Sequence, residues 1–361
     1  MTAPLTTPRR DGFRMPAEWE PHSRCWMGWP FRPDVWREKA RPAREAFAMV
    51  AGAISAFEPV TVCVPPGEAD EARRILPDRV EVFAVPCDDA WLRDTGPTFV
   101  TDGRELRGVD WEFNSWGGLL AECRNDNALA GRILRRAGAP AYRPGIVMEG
   151  GSFSVDGEGT VIATEECLLN PNRNPHLSRQ QIEETLLEYV GAQKMIWIPR
   201  GMLGDSDTSG HVDNICCFVR PGVVALAWTS DSSDPRHTAC SEAEQALQTS
   251  TDARGRALQV VRVPLPPPQT VSPEECRTLP LANGQPIRSP GQLLPASYIN
   301  FYFANGALIV PAFGDQTSDG AAAEVFTRLF PDRKIQMIPS REILLGGGNI
   351  HCITQQQPEV A

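Results

Sequence analysis

The chain has 361 residues, 42% of them hydrophobic, and a formal net charge of −10. That length can bury a large core, and the acidic balance argues against nucleic acid as a partner, because phosphate binding wants a basic face. The N-terminal stretch MTAPLTTPRRDGF has no apolar segment or cleavage site, and no run approaches the ~18 apolar residues of a membrane span, so a cytoplasmic protein with no membrane partner is expected.

In chain order, a strand near 24–29 precedes a helical pattern at 35–56 and the apolar strand Val60–Val64. The turn Asp102-Gly103 marks a hairpin, followed by a helix at 123–137 and a weak strand near 141–147. The turn Asp156-Gly157 marks a second hairpin. Next comes a helix at 178–190, whose Ser178 and Gln181 have capping-box spacing, and the strand Met195–Ile198. Pro221-Gly222 turns a third hairpin, before a helix at 239–250 and the strand Leu258–Val263. The stretch from Pro264 to Ala296 lacks clear periodicity and reads as a binding loop, a lid or a plain surface insertion. Asn305-Gly306 turns a fourth hairpin, followed by a helix at 319–329 and the strand Ile335–Ile338. A last strand near 350–355 completes a fifth hairpin if it pairs with the strand near 24–29. The recurrence predicts an α/β fold of five ββαβ units closed into a ring, one domain over 1–361; an open α/β sheet is the alternative.

The ten cysteines show no C-x-x-C spacing, which excludes a zinc ribbon or a thioredoxin-type pair, and reduced thiols are expected. Reactive side chains stand instead where each hairpin begins: Trp91 to Asp94, Glu149-Gly150-Gly151, Asp207 to Asp213, and Gly346-Gly347-Gly348 leading to Cys352. In a ring of repeats these positions converge at one end of the axis. Each has a plain alternative: a buried free thiol for Cys352, a surface ion pair with Arg93 for Asp94, a turn cap for Glu149, a core residue for Trp91. His211 and Asp213 are expected on one face of a strand. His351 should point away from Cys352 and be structural. A thiol with a histidine describes a nucleophilic site. The additional carboxylates and an aromatic face suit a planar guanidinium, which carboxylates bind bidentately and an indole covers.

The segments GFRMPAEWEPHSRCWMGWP (Gly12–Pro30), DAWLRDTGP (Asp89–Pro97), LLNPNRNP (Leu168–Pro175), GHVDNICCF (Gly210–Phe218), ASYINFYFA (Ala296–Ala304) and ILLGGGNIHCITQQQ (Ile343–Gln357) together resemble the agmatine deiminase family. That family belongs to the guanidine-modifying superfamily with the pentein α/β propeller fold. The resemblance implies Cys352 as nucleophile, His211 as general acid/base and Glu149 as the acid that orients it. It implies Asp94 and Asp213 as guanidinium ligands, Trp91 packed against the substrate and Asp207 as a further substrate-binding acid. It implies agmatine as a small cationic substrate, hydrolysed in putrescine and polyamine synthesis, and a homo-oligomer. No cofactor and no metal are expected, since the acids and His211 lack ligand spacing. An arginine or peptidyl-arginine deiminase of the same fold is the alternative, as is a non-enzymatic pentein binding protein.

Overall fold

The computed structural model describes residues 6–279, 281–282 and 285–360; part of the N-terminal stretch read above, and part of the 264–296 stretch, lie outside the described residues. Five sheets repeat one plan. In four of them an antiparallel hairpin is extended by a third strand, parallel to the second. These are β4 (Thr98–Thr101), β5 (Leu106–Val109) and β6 (Ala141–Tyr142); β7 (Phe153–Val155), β8 (Thr160–Thr164) and β9 (Lys194–Ile198); β10 (Cys216–Arg220), β11 (Val223–Trp228) and β12 (Gln259–Pro264); and, after a small hairpin of β13 (Leu281–Ala282) and β14 (Gln285–Pro286), β15 (Tyr302–Ala304), β16 (Ala307–Ala312) and β17 (Lys334–Pro339). The fifth joins the chain ends. β18 (Thr354–Pro358) runs antiparallel to β1 (His22–Met27), and β1 continues parallel to β2 (Val60–Val64) and on to β3 (Glu81–Ala84). The middle strands read as near-continuous apolar runs, ALIVPA in β16 and TVIAT in β8, because sheet neighbours and covering helices bury both faces.

The connecting helices obey their local signals. Ser178 accepts from the Gln181 N–H and Gln181 answers to the Ser178 backbone, so the helix Arg179–Val190 starts on the expected capping box, worth about 1 kcal/mol. It ends at Gly191 in a left-handed conformation. The helix Arg41–Ile54 opens with Pro42, and a short 3-10 turn occupies Arg37–Ala40 within the expected 35–56 span. All ten cysteines are free thiols. Among the described residues no helix is long and apolar enough to cross a membrane.

Four expectations need correction. The terminal strand pairs as foreseen but begins at Thr354, so Cys352 sits in the turn before it, where Thr354 caps the backbone through the Ile350 and His351 carbonyls. His211 and Asp213 are not on a strand: Val212–Asn214 is a 3-10 turn, because Asp205 draws in the His211 N–H and the Asn214 amide and Gly210 adopts φ 82°. The weak strand at 141–147 ends at Tyr142, and only an isolated Val147–Glu112 bridge follows. The 264–296 stretch holds a helix, Pro273–Thr278, capped reciprocally by Ser272 and Glu275 and tied by Glu275 to Arg341. Its short length hid it from a periodicity reading.

Candidate active site

The four hairpin-leading loops meet. The Arg93 N–H donates to the Cys352 carbonyl (3.0 Å), the Gly151 N–H to Asp94 Oδ1 (2.9 Å), and the Thr164 hydroxyl to the Gly210 carbonyl beside His211 (2.7 Å). Glycine permits these approaches. A Cβ on Gly150 would stand 2.2 Å from the Arg93 carbonyl. One on Gly151 would stand 2.6 Å from His211 Nδ1, 2.9 Å from Asp213 Oδ2 and 3.0 Å from Asp94 Oδ1. Imidazole and two carboxylates thus converge on one glycine.

The triple glycine before Cys352 has a reason at each position. A Cβ at Gly346 would overlap the indole of Trp36. Gly347 has φ 117° and lies under the Asp207–Arg288 pair. A Cβ at Gly348 would be 2.6 Å from Trp91 Cζ3 and 3.0 Å from Cys352 Sγ. Trp91 therefore packs against the backbone that delivers the thiol. Gly348→Ala is expected to displace Trp91 or Sγ and lower turnover about 100-fold, the scale of an ~1 Å misplacement; steady-state kinetics on the folded variant checks it.

Cys352 Sγ is 3.6 Å from Asp213 Oδ2 and takes a hydrogen bond from Asn300 Nδ2 at 3.2 Å. His211 Nδ1 is 3.8 Å from Asp94 Oδ1, and its Nε2 is 3.6 Å from Glu149 Oε2. Glu149 Oε1 accepts from Arg173 Nε at 2.6 Å. Asp94 makes no ion pair with Arg93, whose guanidinium turns to Gln356 and Glu18. The turn-cap reading of Glu149 also fails, since its side chain caps nothing. Trp91, Asp94, Glu149, His211, Asp213 and Cys352 are all buried. Asp207 does not join the gap: Arg288 Nη1 holds its Oδ1 at 3.1 Å, and Nη2 its other oxygen, beside Gly347.

Several side chains around the gap were not singled out from sequence. Asn300 and Arg173 lay inside the motifs ASYINFYFA and LLNPNRNP, but nothing local assigned them chemistry. Trp116 donates its indole N–H to Asp94 Oδ2 at 2.8 Å, and Ser115 and Trp116 both take positive φ (59° and 51°). Such backbone costs about 1–3 kcal/mol per residue and persists where surroundings enforce it; the Gly117-Gly118 pair was its available signal. His351, expected to point away from Cys352 and be structural, is held between two carboxylates. Its Nδ1 lies 2.9 Å from Asp213 Oδ2 and its Nε2 3.1 Å from both Glu18 oxygens. A carboxylate at each nitrogen favours the charged ring, which donates from both. Burial and Arg93 oppose that charge, but Glu18 and Asp213 outweigh them and raise its pKa.

The electrostatics are those of a site awaiting a cation. Burial, followed by the Asp213 and Asp94 carboxylates, pushes the Cys352 thiol well above its ordinary value. Burial alone would discharge His211, yet Asp94, Cys167 and Glu149 raise its pKa well above the usual imidazole value. Burial opposes ionisation of Glu149, but His211 and Arg173 hold it below the usual carboxylate range. Burial raises Asp94, with His211 offsetting part of the rise. The shifts favour a protonated thiol on Cys352, a charged His211 ring and an ionised Glu149.

The fold and these residues match a known class. The sequence model for Porphyromonas-type peptidyl-arginine deiminase covers residues 14–358, and the chain belongs to that family, within its agmatine deiminase branch. It is 53% identical to the agmatine deiminase of Stutzerimonas stutzeri over 99% of both chains, and 50% identical to that of Medicago truncatula over 98% of both. Among solved structures, the agmatine deiminase of Enterococcus faecalis superposes with a TM-score of 0.94 at 42% identity, covering 99% of each chain. A substrate-bound C. jejuni agmatine deiminase superposes with a TM-score of 0.84 at 25% identity, covering 96% of this chain and 97% of that one.

Proposed function

We propose that this protein hydrolyses agmatine to N-carbamoylputrescine and ammonia, as a step of putrescine and polyamine synthesis. The observation that carries the chemistry is the gap around Gly151, where Asp94, Asp213 and His211 face one another and Asp213 stands 3.6 Å from the Cys352 thiol. Asp94 and Asp213 bind the guanidinium nitrogens, and Trp91 packs against the bound group. The cation cancels the carboxylate repulsion on the thiol, which ionises and loses its proton to solvent. The Cys352 thiolate attacks the guanidinium carbon. The His211 imidazolium protonates the departing nitrogen as ammonia, leaving an alkylthiouronium on Cys352. Neutral His211 then takes a proton from water, whose oxygen attacks the same carbon; the C–S bond breaks and the ureido product leaves. Glu149, anchored by Arg173, orients His211.

Substrate choice follows from charge. Arginine would bring a carboxylate needing a free cation, whereas the arginines described around the site are engaged: Arg288 by Asp207, Arg173 by Glu149, Arg93 by Glu18 and Gln356. Agmatine has no carboxylate to place. Asp207, beside Gly347 and still paired with Arg288, is the further substrate-binding acid of this reading. The deciding experiment compares ammonia release from agmatine, arginine, peptidyl-arginine and methylated arginine. Agmatine should be preferred; a preference for arginine would overturn the assignment. The reading also includes a single catalytic unit over 1–361, a cytoplasmic location and a homo-oligomer, the last checked by light scattering.

The cation-induced ionisation has its own test. At pH 7 a cationic haloamidine should alkylate Cys352 at least ~10-fold faster than neutral iodoacetamide, because only the former lowers the thiol's pKa. Equal rates, by peptide mass spectrometry, would mean that the thiolate exists without a bound cation.

A further inference from the structure

Cys167 touches no reacting atom in the chemistry above, yet it lies against the catalytic histidine. It belongs to the short helix Glu165–Leu168 after β8, and Thr164 brings the two loops together by accepting from the Cys167 N–H and donating to the Gly210 carbonyl. Cys167 Sγ and one ligand atom each of His211 and Glu149 lie within 4.8 Å of one another, all three residues buried. Two of those groups lack a hydrogen-bond partner: His211 Nε2 and Glu149 Oε2 are both shielded from solvent and stand 3.6 Å apart. That is longer than a good hydrogen bond and close to the roughly 3.4 Å between two ligands on a tetrahedral ion with bonds of about 2.1 Å. Arg173 occupies only the other Glu149 oxygen, so Oε2 stays available.

We propose that Glu149, Cys167 and His211 form a binding site for a thiophilic divalent cation, Zn2+ being the best match to one thiolate, one imidazole and one carboxylate. Binding forms S–Zn, N–Zn and O–Zn bonds and releases the protons of Cys167 and His211 to solvent, with no change of oxidation state. The charges balance: a dication and the Arg173 guanidinium face the Cys167 thiolate, Glu149 and Asp94. A metal on Nε2 leaves His211 neutral with its proton on Nδ1, the nitrogen that faces the gap, so the ring no longer cycles between imidazolium and imidazole and occupancy inhibits the enzyme. The inference rests on His211 as acid/base only for its inhibitory consequence; metal binding is read without turnover.

The full-length protein, stripped with chelator, is titrated with Co2+ and Zn2+. One equivalent of Co2+ should produce a near-ultraviolet thiolate-to-metal charge-transfer band that Zn2+ displaces. The band should persist in Cys352→Ser and disappear in Cys167→Ala. Relative to its own zinc-free rate, Cys167→Ala should need at least ~10-fold more Zn2+ for half-inhibition. Cys167→Ser, closer in size, repeats the comparison if the alanine variant does not fold. No bound metal in the wild type, or a band and zinc sensitivity unchanged in the Cys167 variants, overturns the proposal. A band lost in Cys352→Ser would place the metal on the nucleophile instead. If no substrate yields ammonia, the spectral arms still decide the metal site, so the two readings fail separately.

Discussion

Replacing Cys352 by alanine should abolish ammonia release from agmatine, by about 10⁴-fold or more, while the protein stays folded. The thiol is the nucleophile in the proposed mechanism, and no carboxylate or imidazole there matches a thiolate's nucleophilicity. The structural cost is small. Cys352 lies in a turn whose backbone bonds come from Arg93 and Asn300, and these do not involve the sulfur. Only the weak contacts of Sγ with Asn300 and Asp213 are lost. Circular dichroism and melting temperature should therefore match the wild type within a few degrees. Appreciable turnover by the purified, folded variant would remove Cys352 from the mechanism.

Asp94→Asn should lower kcat/KM for agmatine by ~100-fold or more and also weaken the fold. Both carboxylate oxygens accept from N–H donors, Oδ1 from Gly151 and Oδ2 from the Trp116 indole. An asparagine offers one acceptor and one NH2, so one buried donor must face another donor. Leaving such a group unsatisfied costs about 1–3 kcal/mol. The substitution also removes one of two negative charges from the guanidinium site and one support of the His211 imidazolium. The expected pattern is a raised KM, a lowered kcat and a lower melting temperature. Unchanged agmatine kinetics would return Asp94 to a purely structural role.

Some of this was legible without coordinates. The four turn dipeptides mark β4–β5, β7–β8, β10–β11 and β15–β16 because Asp-Gly, Pro-Gly and Asn-Gly bend backbone whatever surrounds them. The capping box at Ser178 is equally local. The pairing of β1 with β18 could be counted from the modules, although the strand starts later than read because Cys352 belongs to a turn tied down by Thr354 and Asn300. The 3-10 turn at His211 escaped for the same reason: Asp205 imposes it from six residues away.

Glycines were legible as glycines, but their purpose was not. Gly151 is required because three side chains from two other modules crowd the place its Cβ would take, and Gly348 because Trp91 packs on it. Trp116, Arg173, Asn300 and His351 share the difficulty. Each acts on a partner 22 to 138 residues distant in sequence, such as Trp116 on Asp94 and His351 on Asp213. No local pattern encodes a contact of that kind.

The sequence by itself determined the module count, the hairpin turns, the reactive residue types and the family, because each is written in short-range chemistry or in contiguous motifs. The tertiary structure decided which groups touch. It set Asp207 against Arg288 rather than in the gap, turned His351 onto Asp213, and seated Cys167 beside His211. Those outcomes depend on how five modules meet, and burial there makes each unpaired charge costly enough to choose its own partner.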